Sequence, residues 1–318
     1  MLDIAQTVAG LALLIGAADL LVKGASAIAS RYGISPLMIG LTVVSFGTSM
    51  PEMLVSVTAG LRGSADLAVA NVLGSNLFNI LVVLGVAAMI YPLRVHSSTV
   101  VSEIPFSLSA AILLGFLANA ALFASKPELS ISRLDGAILL LFFLLFMLYI
   151  FSISSADDSQ ESPPPASQPV SRSIAFIVAG IAGLYLGGEL AVQGAVALAR
   201  GWGVGDALIG LTILAIGTSL PELMASAMAA FRREADIAVG NVVGSNIFNI
   251  LWILGVTASI QKLPFDAISN IDIIMVIVAT MLILLAVVSS RAATISRVWG
   301  GVFVCVYIAY MVYVIQRG

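Results

Sequence analysis

Apolar residues fill this chain in long blocks, and short polar stretches punctuate them. Ten apolar runs can be marked, with approximate limits 4–29, 35–61, 65–92, 98–123 and 133–152, then 172–199, 205–231, 235–260, 269–289 and 296–316. Each is long enough to cross a hydrocarbon core as a helix, which takes about 17–25 residues. Strict apolar–polar alternation is absent, so the pattern predicts helices rather than barrel strands. In lipid every backbone N–H and C=O needs a partner within the protein, and a helix supplies it locally. The expected fold class is an all-α polytopic membrane protein with ten transmembrane helices.

The longest polar stretch, Ser152 to Ser171, carries Asp157, Asp158, Glu161 and the run Pro163-Pro164-Pro165. It reads as a short solvated linker, too short for a regulatory domain, between halves 1–151 and 172–318. The halves resemble each other. Gly40–Gly85 aligns without gaps to Gly210–Gly255, with roughly 26 of 46 positions identical. Identity is densest at polar and small residues: Gly47-Thr48-Ser49-Met50-Pro51-Glu52 matches Gly217-Thr218-Ser219-Leu220-Pro221-Glu222. Asn71, Gly74-Ser75-Asn76 and Phe78-Asn79 match Asn241, Gly244-Ser245-Asn246 and Phe248-Asn249. Similarity fades outward, with Asp19 aligned to Glu189 and Ile131-Ser132-Arg133 resembling Ile295-Ser296-Arg297. Five spans per half is an odd number, so the halves are expected to be inverted repeats. That plan is recurrent in transporters, with substrate held between the repeats near the midplane.

Composition narrows the surroundings. Of 318 residues, 60% are hydrophobic and 10% charged, with mean hydropathy +1.11. Soluble domains carry about 25% charged residues, so most of this surface is expected to face the lipid bilayer. The net charge of −3 and the absence of a basic cluster offer nothing to nucleic acid. No obligate protein partner is evident. Cys305 stands alone in an apolar run and His96 alone in a polar turn, so neither predicts a disulfide or a soft-metal site. The first run holds Asp3 and Asp19 and lacks a basic start and a cleavage pattern, so it is expected to be a span rather than a signal peptide. On a ten-span topology Lys23, Arg31, Arg94, Arg172, Arg232, Arg233, Arg291 and Arg297 share one side. Arg62, Lys126, Arg133, Arg200, Lys262 and Arg317 share the other. The excess on the first side predicts an outside N-terminus and a cytoplasmic linker in an inner or plasma membrane.

The candidate chemistry lies where spans are interrupted. Pro51 and Pro221 each remove a backbone donor and free a carbonyl near Gly47 and Gly217. Thr48, Ser49, Thr218 and Ser219 add oxygens, and Glu52 and Glu222 follow at once. A carboxylate at the centre of a membrane costs on the order of 2.5–3.5 kcal/mol on insertion scales and is functional by default. Two at matched positions point to one cation held by both. A set built only of oxygens suits a hard ion such as Ca2+. Asn79 and Asn249 are neutral oxygen donors from neighbouring spans, and serine and asparagine oxygens fit Na+ without adding charge. Ions competing for shared oxygens in an alternating-access protein exchange rather than travel together. Asn71, Asn76, Asn241 and Asn246 read as interhelical packing residues, Asp19 as a partner of Lys23 one turn on, and Asp66 and Asp236 as helix caps. Glu103 and Asp135 are assigned no transport role. No nucleophile–base pair or HExxH motif suggests an enzyme, and no cofactor is implied.

GTSMPE and GTSLPE, each followed by GSNxFN, resemble the two alpha repeats of the calcium/cation antiporter superfamily, of the prokaryotic sodium/calcium exchanger type. The resemblance implies secondary active exchange of Na+ for Ca2+ through four clustered cation sites in ten helices. It places Ca2+ on the carboxylates of Glu52 and Glu222 and the carbonyls of Thr48 and Thr218. It places Na+ among Ser49, Ser75, Ser219 and Ser245, the carbonyls of Ser45 and Ala215, Thr218, and the same glutamates, with Asn79 and Asn249 at the central site. Some members carry aspartate where this chain has Asn249. A Ca2+/H+ antiporter of the same fold is the alternative, although that branch uses a GNxxE-like motif absent here.

Overall fold

The computed structural model describes residues 2–62, 65–120, 128–154, 169–203, 215–290 and 292–317. Nearly all of them are helical. α1 (Leu2–Tyr32) is followed by a broken span: α2 (Pro36–Thr48) and α3 (Met50–Leu61), bent by 48°. α4 runs Ala65–Phe78, passes through a π-turn at Asn79–Val83, and ends as Leu84–Ile90. After β1 (Leu93–Arg94) come α5 (Ser97–Val101), α6 (Glu103–Ala118), β2 (Ser130–Ile131) and α7 (Arg133–Ser154). The second half repeats the order: α8 (Val170–Gly201), the short α9 (Ala215–Gly217) and α10 (Leu220–Phe231). α11 runs Ala235–Ile247, through a π-turn at Phe248–Ile253, to Leu254–Ile260. β3 (Leu263–Pro264), α12 (Ser269–Val288), β4 (Thr294–Ile295) and α13 (Arg297–Arg317) complete it.

Eight of these helices are long and apolar enough to span a bilayer, and the bent α2–α3 pair makes a ninth. α10 is a shorter apolar helix. The run 205–231 predicted from sequence begins in residues 204–214, which lie outside the described residues, as do 155–168 of the expected linker. α7 and α8 reach two or three residues into the linker's predicted limits.

α4 and α11 are the inner helices. In α11's most apolar window 94% of residues are buried, against 11% in α13, which presents its apolar side chains outward. That is the pattern of a bundle in lipid, where an outer helix need not hide its leucines. α1 and α8 pack backbone to backbone. A Cβ on Gly180 would lie 2.7 Å from the Leu21 nitrogen, and one on Gly187 2.9 Å from the Leu14 nitrogen. Only glycine permits that approach, so the two long helices form one closely seated unit.

The halves are stitched by two antiparallel β pairs, Leu93↔Ile295 with Arg94↔Thr294, and Ser130↔Pro264 with Ile131↔Leu263. Arginines then close the inner helices: Arg297 Nη2 donates to the Ile90 carbonyl (3.3 Å) and Arg133 Nη2 to the Ile260 carbonyl (3.2 Å). A cation at a helix C-terminus meets the negative end of its dipole. Reciprocal contacts of this kind are the mark of a two-fold relation. Asp236, expected as a cap, instead pairs with His96 (3.3 Å), because α11 starts one residue earlier at Ala235 and its cap position is Glu234, which caps without its side chain.

Candidate cation site

Each broken span restarts one residue before its proline. Ser49 (φ −83°, ψ 8°) and Ser219 (φ −91°, ψ 7°) leave the helical region, and Pro51 and Pro221 occupy the first turn of α3 and α10. A proline there loses no hydrogen bond, since the first N–H groups of a helix have no intrahelical acceptor. Glu52 and Glu222 therefore stand in the first turn of their helices, where the dipole favours negative charge. The breaks thus place both carboxylates at helix N-termini, deep in the bundle; both are fully buried.

The two halves hold each other's acid. Ser219 Oγ donates to Glu52 Oε1 (2.8 Å), and Ser49 Oγ donates to Glu222 Oε1 (2.8 Å). Ser75 Oγ donates to Glu52 Oε1 at 3.4 Å. Behind them Asn71 Nδ2 donates to the Glu52 carbonyl (3.4 Å) and Ser56 Oγ (3.0 Å). Asn241 Nδ2 does the same to the Glu222 carbonyl (3.4 Å) and Ser226 Oγ (2.9 Å). What remains is a set of buried oxygens with no donor: Glu52 Oε2, Glu222 Oε2, Asn79 Oδ1, Asn249 Oδ1, Ser245 Oγ and Thr218 Oγ1. The ion pairs of the described residues leave both glutamates without a Lys, Arg or His. An orphaned buried acceptor costs about 1–3 kcal/mol, and a charged one more. Cations would satisfy this group together. His96 and Cys305 lie elsewhere and exposed, so the donors are all hard oxygens.

The site is not symmetric in its surroundings. Thr48 Oγ1 donates to Asn241 Oδ1 (3.0 Å), whereas its counterpart Thr218 Oγ1 has no partner. Gly240, Asn241 and Gly244 are buried on α11, while their counterparts Ala70, Asn71 and Gly74 on α4 are exposed or half-buried. The backbone follows suit. Ser49 N–H donates to the Ser45 carbonyl (3.0 Å), which also accepts from Thr48 Oγ1 (3.3 Å). Ser219 N–H donates to the Ile216 carbonyl (3.1 Å).

The residues singled out in the sequence thus gather: Ser45, Thr48, Ser49, Glu52, Ser75, Asn79, Ser219, Glu222, Ser245 and Asn249 are all buried, with Thr218 half-buried beside them. The side chain of Ala215 lies outside the described residues. Ser56 and Ser226, which hold the amides of Asn71 and Asn241 behind the acids, escape a reading by motif; their matched positions in the two repeats are the available signal. Asp19 pairs with Lys23 (2.6 Å) as expected, and also with Arg232 at the end of α10. Glu103 accepts a bond from Tyr149 Oη (3.1 Å), away from the acids.

The family model for sodium/calcium exchanger proteins matches residues 2–152 and 172–316. CaxA of Alkalimonas amylolytica is 42% identical over 305 residues, 95% of each chain. The sodium/calcium exchanger MaX1 of Methanosarcina acetivorans is 32% identical, again over 95% of each. The solved structure of the sodium–calcium exchanger NCX_Mj soaked with 10 mM Na+ and zero Ca2+ superposes with a TM-score of 0.83 at 31% identity, covering 98% of both chains. With both halves matched and relatives aligned nearly end to end, the chain belongs to the sodium/calcium exchanger family of membrane antiporters.

Proposed function

We propose that the protein exchanges Na+ for Ca2+ by holding these ions between Glu52 and Glu222 and exposing them in turn to the two sides of the membrane. The observation that carries this reading is the crossed pair of buried carboxylates, each gripped by a serine of the other half and each with one oxygen unpaired. Family membership makes the activity antiport rather than enzymatic chemistry, with Na+ and Ca2+ as cargo and no resident cofactor.

Two carboxylates supply a formal charge of −2. One Ca2+ neutralises it, as do two Na+, which is the electrostatic basis for competition in a site where water screens poorly. We assign Ca2+ to the carboxylates of Glu52 and Glu222 with the carbonyls of Thr48 and Thr218. We assign Na+ to oxygens of Ser45, Ser49, Ser75, Asn79, Ala215, Thr218, Ser219, Ser245 and Asn249 together with the glutamates. The free Oδ1 atoms of Asn79 and Asn249 and the free hydroxyls of Ser245 and Thr218 support this assignment.

Ten spans in two inverted halves, 1–151 and 172–318, joined by a linker at 152–171, is the arrangement we favour. It is supported by the reciprocal stitching of the halves and by the repeat. With the N-terminus outside a plasma membrane, the linker faces the cytoplasm. The test is Na+-gradient-driven 45Ca2+ uptake in proteoliposomes without a pH gradient. Glu52→Gln or Glu222→Gln should abolish it while the protein still folds and inserts. Uptake at the parental rate in either variant would refute the site.

A further inference from the structure

Four asparagines form a closed, buried set at the interface of α4 and α11. Asn76 Nδ2 donates to the Asn246 backbone carbonyl (3.3 Å), and Asn246 Nδ2 donates to the Asn76 backbone carbonyl (3.5 Å). Asn79 Nδ2 donates to Asn246 Oδ1 (3.3 Å), and Asn249 Nδ2 donates to Asn76 Oδ1 (3.1 Å). The oxygens of Asn79 and Asn249 are left unpaired, and all four residues are buried.

The order of these bonds has a fixed starting point. A backbone carbonyl only accepts, so the amide end of Asn246 that meets the Asn76 carbonyl must be its NH2 group. The oxygen of Asn246 is then turned toward Asn79, which answers with its own NH2 group. That leaves Asn79 a single remaining face, its Oδ1. The same three steps run from the Asn246 carbonyl through Asn76 to Asn249. If either outer amide turned over, two carbonyl oxygens would face each other. The inner asparagine would then offer N–H donors, which repel a cation.

We propose that Asn76 and Asn246 are positioning residues that fix which end of Asn249 and Asn79 faces the ions, so that the neutral central ligands present oxygen and never N–H. This rests on the reading of Asn79 and Asn249 as ion ligands. The sequence suggests only packing for the outer pair, because asparagine in a membrane helix commonly serves interhelical hydrogen bonding. The crossed pattern adds direction: each outer residue governs the inner residue of the opposite half.

The experiment measures half-saturating Ca2+ and maximal rate for Na+-driven uptake in proteoliposomes. Asn246→Leu removes the lock on Asn79 and is expected to raise half-saturating Ca2+ by about tenfold, the scale of a buried polar group left without its partner. Adding Asn79→Asp to that variant should restore it to within about threefold, since a carboxylate has an oxygen at both ends and no donor end to misplace. Adding Asn249→Asp instead should not restore it, because that side chain is set by Asn76; this separates orientation from mere added charge. Equal rescue by both substitutions, or by neither, would overturn the proposal. Asn76→Leu with Asn249→Asp is the two-fold copy of the test should the first variant fail to insert. If Asn79→Leu alone leaves half-saturation unchanged, the ligand reading has failed. If Asn79→Leu weakens binding and Asn246→Leu does not, only the positioning role has failed.

Discussion

A single methyl group at Gly244 should weaken ion binding by parting two helices that carry the site. α2 crosses α11 there so closely that a Cβ on Gly244 would lie 2.6 Å from the Leu41 carbonyl oxygen, 2.7 Å from Leu41 Cα and 2.7 Å from Ser45 Oγ. Ordinary contact begins at 3.4 Å, and two of these atoms are backbone, so the helices themselves must part. The residue that matches Leu41 in the repeat, Leu211, lies outside the described residues. Overpacking of a tight contact costs about 1–3 kcal/mol. α2 carries Ser45 and Thr48 and α11 carries Ser245 and Asn249, so parting the two helices moves ligands of the site, and a loss of that size raises half-saturating Ca2+ about 5- to 150-fold. Na+-driven 45Ca2+ uptake in proteoliposomes measures the rise. Unchanged half-saturation in a folded Gly244→Ala protein would refute the reasoning.

Three further outcomes are expected. Ser49→Ala and Ser219→Ala each strip a charge-assisted bond of 2.8 Å from a buried carboxylate, which should weaken ion binding about 10- to 100-fold, measured as half-saturation of uptake. The Asp19–Arg232 pair ties α1 to the end of α10, while the repeat-related Glu189 and Arg62 form no ion pair among the described residues. Bridging Asp19→Cys and Arg232→Cys with a bifunctional thiol crosslinker in a Cys305→Ala background should therefore arrest exchange, and undiminished flux after crosslinking would contradict it. Exchange should also proceed with choline replacing all K+, because Asn79 and Asn249 add no third negative charge to hold it beside Ca2+; strict K+ dependence of 45Ca2+ uptake would sink that expectation.

How far the sequence reaches depends on what each feature is made of. Spans are legible because a run of apolar residues long enough to cross a bilayer has few other uses, and most of the marked limits fall within a few residues of the helices. Glu52 and Glu222 are legible because a carboxylate is so costly in that setting that matched repetition leaves little but ion binding. The crossing of the two halves is not written in either half. Ser49 lies three residues before Glu52, yet it serves Glu222, and only the packed two-fold arrangement brings them together. The asparagines show the same limit more sharply: Asn76 and Asn79 are one turn apart on α4, but each bonds across to α11. Asymmetry is beyond any repeat alignment. Gly74 and Gly244 are the same letter at the same register, and the alignment treats them alike. Gly244 is buried against Leu41, whereas Gly74 is half-buried. Two copies of one motif can meet different surroundings because each packs against the other half rather than against itself, and substitutions such as Ala70, where the other half has Gly240, are where the two copies cease to be equal.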